Sequence, residues 1–263
     1  MSSSVMSIPQ EVPGQSSPAF GGFSTAPSGS GPARNEMPTA PLGIGDARLL
    51  PLVQASVSQT TWAAYGPRRP VVWLIGHSYI YWAAQRAAHR PGGRTLGFRD
   101  LEVHWKGVKG LRWAEVLSQA IEVGRTVSSP VVLVIHAGGN DLCVLRLNEL
   151  LIIIRSDLER LPGFFNEVVL VWSEIVSRVK WQGARDAAAM ERARRTVNAR
   201  TSRFVRSKGG VVVRHRQLEG DNRRLMISDG THLNDIGLDI FLSGLQDGVE
   251  QALYILGGGR SSV

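Results

Sequence analysis

Cysteine is almost absent: Cys143 is the single one in 263 residues. One thiol can neither close an internal disulfide nor build a thiolate cluster, so a disulfide-stapled scaffold is excluded and a reducing compartment fits. Long apolar runs are missing too. The longest candidate, 150–154 ("LLIII"), lies between Glu149 and Arg155 and falls far short of the roughly 18 residues that a membrane span needs. The chain does not open with a basic start followed by an apolar run, so no secretory signal is expected. His89, His104 and His215 have no second His, Cys or acid at metal-ligand spacing, and neither a metal nor a cofactor is expected. These absences together predict a soluble intracellular protein, cytoplasmic or nuclear.

What is present divides the chain by composition. Residues 1–45 are dominated by Ser, Pro, Gly and Ala without a sustained apolar period, which predicts a disordered leader, since such a stretch cannot bury enough surface to offset the entropy of ordering it. Residues 46–69 read as a short helical linker. From residue 70 to 257 apolar runs alternate with helical patterns, and 258–263 reads as a flexible tail. Strands are predicted at 70–75, 101–105, 130–135, 167–172 and 210–214, mostly Val/Ile/Leu-rich with little alternation, as strands covered on both faces are. Helices are predicted near 79–90, 112–125, 142–160, 186–208 and 235–255. Five strands, each followed by a helix, imply an α/β fold: a three-layer α/β/α sandwich around a five-stranded parallel sheet. Ligands of such sheets bind beyond the carboxyl ends of the strands, near the point where strand order reverses.

Four short blocks follow predicted strands. "GHSY" (76–79) sets Ser78 at the start of a helix, where it could cap that helix or project its hydroxyl over the strand ends as a nucleophile. "KGVKG" (106–110) offers Gly107 and Gly110 as places for a backbone N–H to approach a substrate. "HAGGND" (136–141) supplies the Asn140 amide and an aspartate, Asp141, suited to capping the next helix. His136 within it reads as a satisfied, semi-buried histidine. "SDGTHLN" (228–234) sets Asp229 three residues before His232, close enough for the carboxylate to fix the imidazole tautomer, and a hydrolytic serine needs such a base. The G-x-S-x-G elbow of α/β-hydrolases does not fit, because Ile80 stands where its last glycine belongs.

In order and spacing these blocks resemble the SGNH hydrolases, or GDSL-type esterases, over residues 70–257. The resemblance implies a flavodoxin-like SGNH fold and a serine esterase or acyl hydrolase with Ser78, His232 and Asp229 as catalytic triad. It also implies an oxyanion hole formed by the Ser78 and Gly110 N–H groups and the Asn140 amide, with Gly107 the less favoured glycine, and a small or lipid-like ester as substrate. One position departs from the pattern: His77 stands where the family usually has Asp. The fragment "SVSQTTWAAY" (56–65) resembles the opening helix of a tyrosine-recombinase core-binding domain, and the whole is similar to SGNH-like domains carried by retrotransposons of that class.

The charge is concentrated. Residues 178–208 hold ten basic residues against two acids, a surplus equal to the formal +8 of the whole chain. This predicts either a solvated Arg-rich helix or, through Arg192, Arg195, Arg200 and Arg203, a surface for RNA or DNA. The second alternative pairs with a catalytically silent binding module. The seven tryptophans are assigned to packing.

Overall fold

The computed structural model describes residues 69–259; the expected leader, nearly all of the 46–69 linker and residues 260–263 lie outside the described residues. Five parallel strands form one sheet: β1 (Val71–Gly76), β2 (Glu102–Gly107), β3 (Val131–His136), β4 (Val168–Ser173) and β5 (Val211–Val213), in the order β2-β1-β3-β4-β5. Between them run α1 (Ser78–Ala87), α2 (Trp113–Thr126), α3 (Leu147–Arg160) and α4 (Ala187–Ser207), and α5 (Asp235–Leu256) closes the fold. The chain steps from β1 outward to β2 and then back past β1 to β3. Strand order therefore reverses between β1 and β3, and the crevice of such a sheet opens there.

The Val-rich strands are buried on both faces because each face carries its own helical layer. Val72, Leu74, Val132, Val134 and Val171 pack against α1 and α5, through Ile80, Ala83, Phe241, Leu242, Leu245 and Val249. Ile75, Leu133, Ile135 and Trp172 point the other way, onto Trp113, Leu150, Ile154 and Val197 of α2, α3 and α4. Each such aliphatic side chain withdrawn from water stabilises the fold by about 1.5–3 kcal/mol. The inward residues of α5 recur at helical spacing (Leu238, Phe241, Leu242, Leu245, Val249, Leu253, Leu256), which is the stripe a helix needs to cover a sheet.

The strand boundaries fall within a residue or two of those expected, but α3 begins at Leu147 rather than near residue 142. The reason is Asp141. Its carboxylate does not cap the helix that follows it in sequence; both oxygens accept the Trp113 N–H, at 3.1 and 3.0 Å, and so cap α2 instead. Residues after Asp141 make a single turn, closed by Val144 and Leu145 N–H bonds to its carbonyl, and α3 starts afresh with Glu149 accepting the Arg146 N–H.

Close approach of α1 to the sheet sets the height of its first residue, Ser78. A Cβ at Gly107 would run into the Tyr81 backbone of α1, and one at Gly76 into the His136 carbonyl. Gly107→Ala should therefore push α1 off the sheet and destabilise the protein by about 1–3 kcal/mol, the range for overpacking a close contact. The shift in urea midpoint at unchanged slope measures it.

Candidate active site

The residues singled out in the sequence meet at the carboxyl end of the sheet. Ser78 follows β1, and its Oγ lies 2.9 Å from His232 Nε2. His232 Nδ1 lies 2.6 Å from Asp229 Oδ2. The other carboxylate oxygen, Oδ1, accepts the N–H groups of Thr231 at 2.8 Å and His232 at 2.9 Å. Burial raises the Asp229 pKa, but the imidazole and the two amides outweigh it and hold the carboxyl below its ordinary value. A carboxylate so held orients the imidazole with Nε2 toward the hydroxyl.

The Asp229–His232 loop is fastened at several points. Ile227 donates to the His232 carbonyl at 2.9 Å, Lys180 donates to Gly230, and the Thr231 hydroxyl donates to the Lys180 carbonyl. The Tyr79 hydroxyl donates to the Thr231 carbonyl at 2.8 Å, joining the loop to the residue next to Ser78. Burial pushes the Tyr79 phenol up to about 12, so it keeps the proton it donates. Farther along, Arg86 of α1 grips Asp239 of α5 with a two-pronged pair, 2.9 and 2.6 Å, tying the helix that begins at Ser78 to the helix that follows His232.

Gly110 and Asn140 join the same cavity, of about 610 Å³, with Ser78, Asp229 and His232 in its wall. Two contacts bring their loops together: Asp141 with the Trp113 N–H, and the Asn140 amide, which donates to the Leu111 carbonyl at 3.0 Å. That bond uses one amide hydrogen of Asn140 and leaves the other. Among the described residues neither the Ser78 nor the Gly110 N–H has an intramolecular acceptor. Gly110 has a positive φ of 79°, which favours glycine there, whereas Gly107 serves the close packing of α1.

No protein-family model matches the chain, and no curated protein sequence does. Solved structures do. A GDSL-like lipase from Bacteroides thetaiotaomicron superposes with a TM-score of 0.56 at 18% identity, over 70% of this chain and 88% of that one. A family 3 carbohydrate esterase from Clostridium thermocellum gives 0.55 at 16%, covering 72% and 100%. A G-D-S-L family lipolytic protein from Veillonella parvula gives 0.52 at 12%, covering 68% and 97%. The fold is that of the GDSL-type esterases. At these identities the likeness is one of fold.

Within this GDSL-type fold, His77 and not Ser78 caps α1: His77 Nδ1 accepts the Tyr79 N–H at 3.3 Å. Accepting there requires Nδ1 to be unprotonated. Burial, with the nearby His136, Arg178 and His232, holds the His77 pKa well below the usual imidazole range. His136 is fully rather than semi-buried, and its Nδ1 meets the Ser173 hydroxyl at 2.9 Å, which in turn meets His215 Nε2 at 2.8 Å. Burial holds His136 well below the usual range and His215 at about 3. Three neutral histidines thus underlie the site.

The basic segment is divided between inward-turned and exposed cations. Arg194 is 1% exposed and paired with Glu191 and Glu219; Arg192 reaches toward Asp186, and Arg195 pairs with Glu191. Arg200, Arg203 and Arg206 stay exposed on α4, as do Arg192 and Arg195, an exposure common to the solvated-helix and nucleic-acid alternatives. Arg178 leaves the segment altogether and lines the cavity with its guanidinium 3.3 Å from Asn140 Oδ1. Sequence reading missed it by counting it with its charged neighbours, although its place just beyond β4 on the same rim was the available signal. Trp82, 38% exposed, is likewise a cavity residue rather than core. Among the described residues no helix is long and apolar enough to cross a membrane, and no cluster of metal-ligating side chains occurs.

The buried histidines fix a pH dependence. Their folded pKa values are depressed, so the unfolded chain takes up protons that the native state does not as pH falls below about 6.5. The stability they contribute is present above that value and is lost progressively down to the folded values, about 3 for His215. Melting temperature should decline from about pH 6.5 downward. Over pH 5–8 the imidazole NMR signals of His77, His136 and His215 should not titrate, and a mid-range titration of any of them would contradict the buried neutral assignment.

Proposed function

We propose that the protein is a serine acyl hydrolase acting on esters. The observation that carries this reading is the Ser78–His232–Asp229 chain of hydrogen bonds, beside a cavity lined by Ser78, Gly110 and Asn140. In the reaction Ser78 Oγ attacks the ester carbonyl while His232 Nε2 takes its proton. The oxyanion is held by the Ser78 and Gly110 N–H groups and the free amide hydrogen of Asn140. The tetrahedral adduct collapses by breaking the bond from carbonyl carbon to alkoxy oxygen. His232 returns the proton to the departing alcohol. Water, deprotonated in turn by His232, then attacks the acyl-serine and releases the carboxylic acid and the free serine.

The departure at His77 is compatible with this chemistry. A neutral imidazole that caps α1 leaves the Ser78 N–H uncommitted at a helix N-terminus, where partial positive charge favours a developing anion. The retrotransposon resemblance, drawn from the SGNH-like domain together with residues 56–65, which lie outside the described residues, we keep as a proposal about origin.

Purified protein should hydrolyse a short-chain p-nitrophenyl ester, and a fluorophosphonate probe should label Ser78. Ser78→Ala and His232→Ala should abolish both turnover and labelling, and Asn140→Ala should lower kcat by about 10²–10³ with KM little changed. Turnover that survives Ser78→Ala would refute the assignment.

A further inference from the structure

The cavity beside Ser78 is positively charged in a way the hydrolytic chemistry does not require. Lys109, Arg112 and Arg178 all line it, and none of them forms an ion pair among the described residues. The one carboxylate in its wall, Asp229, is already engaged by His232 and two backbone amides.

Arg178 is the informative member, and Arg194 provides the comparison within the same chain. Arg194 is buried with its donors fully committed: to Glu191 at 2.6 and 2.8 Å, to Glu219 at 2.5 and 2.8 Å, and to the Ile175 carbonyl at 2.6 Å. Arg178 has no such escort. Its Nε is buried without a partner, and its two terminal nitrogens reach no carboxylate, only the neutral Asn140 Oδ1, both at 3.3 Å, and the neighbourhood of the Tyr79 phenol. Its plane is otherwise held against the rings of Trp181 and Tyr79, at 5.0 and 5.8 Å. A largely desolvated guanidinium with unused donors is poised for a planar anion, since carboxylate and phosphate accept its N–H groups two at a time.

Lys109 and Arg112 extend the charge along the wall. Lys109 Nζ sits over the rings of Tyr81 and Trp82, at 4.5 and 4.4 Å, which holds the ammonium near the cavity without neutralising it. Exposed apolar groups, Trp82, Val144 and Ile227, complete the lining and suit an uncharged portion of the same molecule. Three cations without an ion-pair partner, against the one carboxylate of Asp229, give this concave site a positive excess focused on its interior.

Resting on the acyl-hydrolase reading, we propose that the substrate is an ester carrying a carboxylate or phosphate group near the scissile carbonyl, recognised by Arg178 with Lys109 and Arg112. The ester bond breaks as described above; the anionic group is bound and takes no part in bond making.

Phenyl acetates bearing a para carboxamide, carboxylate or phosphate test this directly, each rate being divided by that ester's spontaneous hydrolysis. At low ionic strength the anionic esters should show kcat/KM about 10- to 100-fold above the carboxamide, the range of a charge-assisted hydrogen bond. The preference should shrink with salt, fall about tenfold in the Lys109→Met/Arg112→Met double variant, and be kept better by Arg178→Lys than by Arg178→Met. Whether carboxylate or phosphate gains more identifies the anion. A binding measurement separates the two readings: calorimetric titration of Ser78→Ala protein with benzoate, phenyl phosphate and benzamide. Anions that bind while wild-type protein cleaves no ester would uphold the charged site and remove the hydrolase reading. Cleavage of the carboxamide ester with no anion preference and no anion binding would overturn the charged site alone.

Discussion

The arrangement depends on one constraint, the in-register ending of the central parallel strands. Gly76 at the end of β1 pairs with Gly107 of β2 on one side and with His136 of β3 on the other. In a parallel ladder the chain must leave every strand at the same edge, so the segments carrying Ser78, Gly110 and Asn140 emerge side by side. Because the order reverses between β1 and β3, the helices that follow these two strands lie on opposite faces of the sheet. The gap between them is the cavity floor. Glycine at 76 and 107 is what lets α1 and the β3 carbonyl come close enough for that gap to be narrow.

A second layer of order comes from polar groups that act across loops. Asp141 and Asn140, neighbours on one loop, both reach the segment around α2: the carboxylate to the Trp113 N–H and the amide to the Leu111 carbonyl. The Asp229 carboxylate is pinned by amides of its own loop, and Tyr79 pins that loop to α1. Water competes poorly with such bonds in half-buried positions, so the groups are held before any ligand arrives. Electrostatics divide the same region in two. Beneath the nucleophile the imidazoles are neutral because burial disfavours their charge, whereas on the cavity side three cations stand without carboxylate partners.

Much of this was legible in the chain itself. The Val-rich strands and the periodic stripe of α5 announced a doubly covered parallel sheet, and the placement of Ser78, Gly110, Asn140, Asp229 and His232 after strands pointed to one rim. What escaped sequence reading shares a cause. Asp141 was assigned to the nearest helix in sequence but caps one 28 residues away. Arg178 was counted in a basic run, yet the turn after β4 carries it inward while the arginines of α4 face solvent or glutamates. His77 stood out in the sequence only as a departure from the family's usual Asp, and burial makes it a neutral cap.

Local pattern, then, was enough for the elements: side-chain period, β-branching and glycine placement act over a few residues and can be read one stretch at a time. It also placed Ser78, Gly110, Asn140, Asp229 and His232 after strands, while their proposed roles came from the family resemblance that their order and spacing carry. The charge state of His77, the partner of Asp141 and the side of the sheet edge on which Arg178 lies were decided by tertiary structure alone. Desolvation and hydrogen-bond partnership depend on which distant segments pack together, and no window of sequence contains that neighbour list.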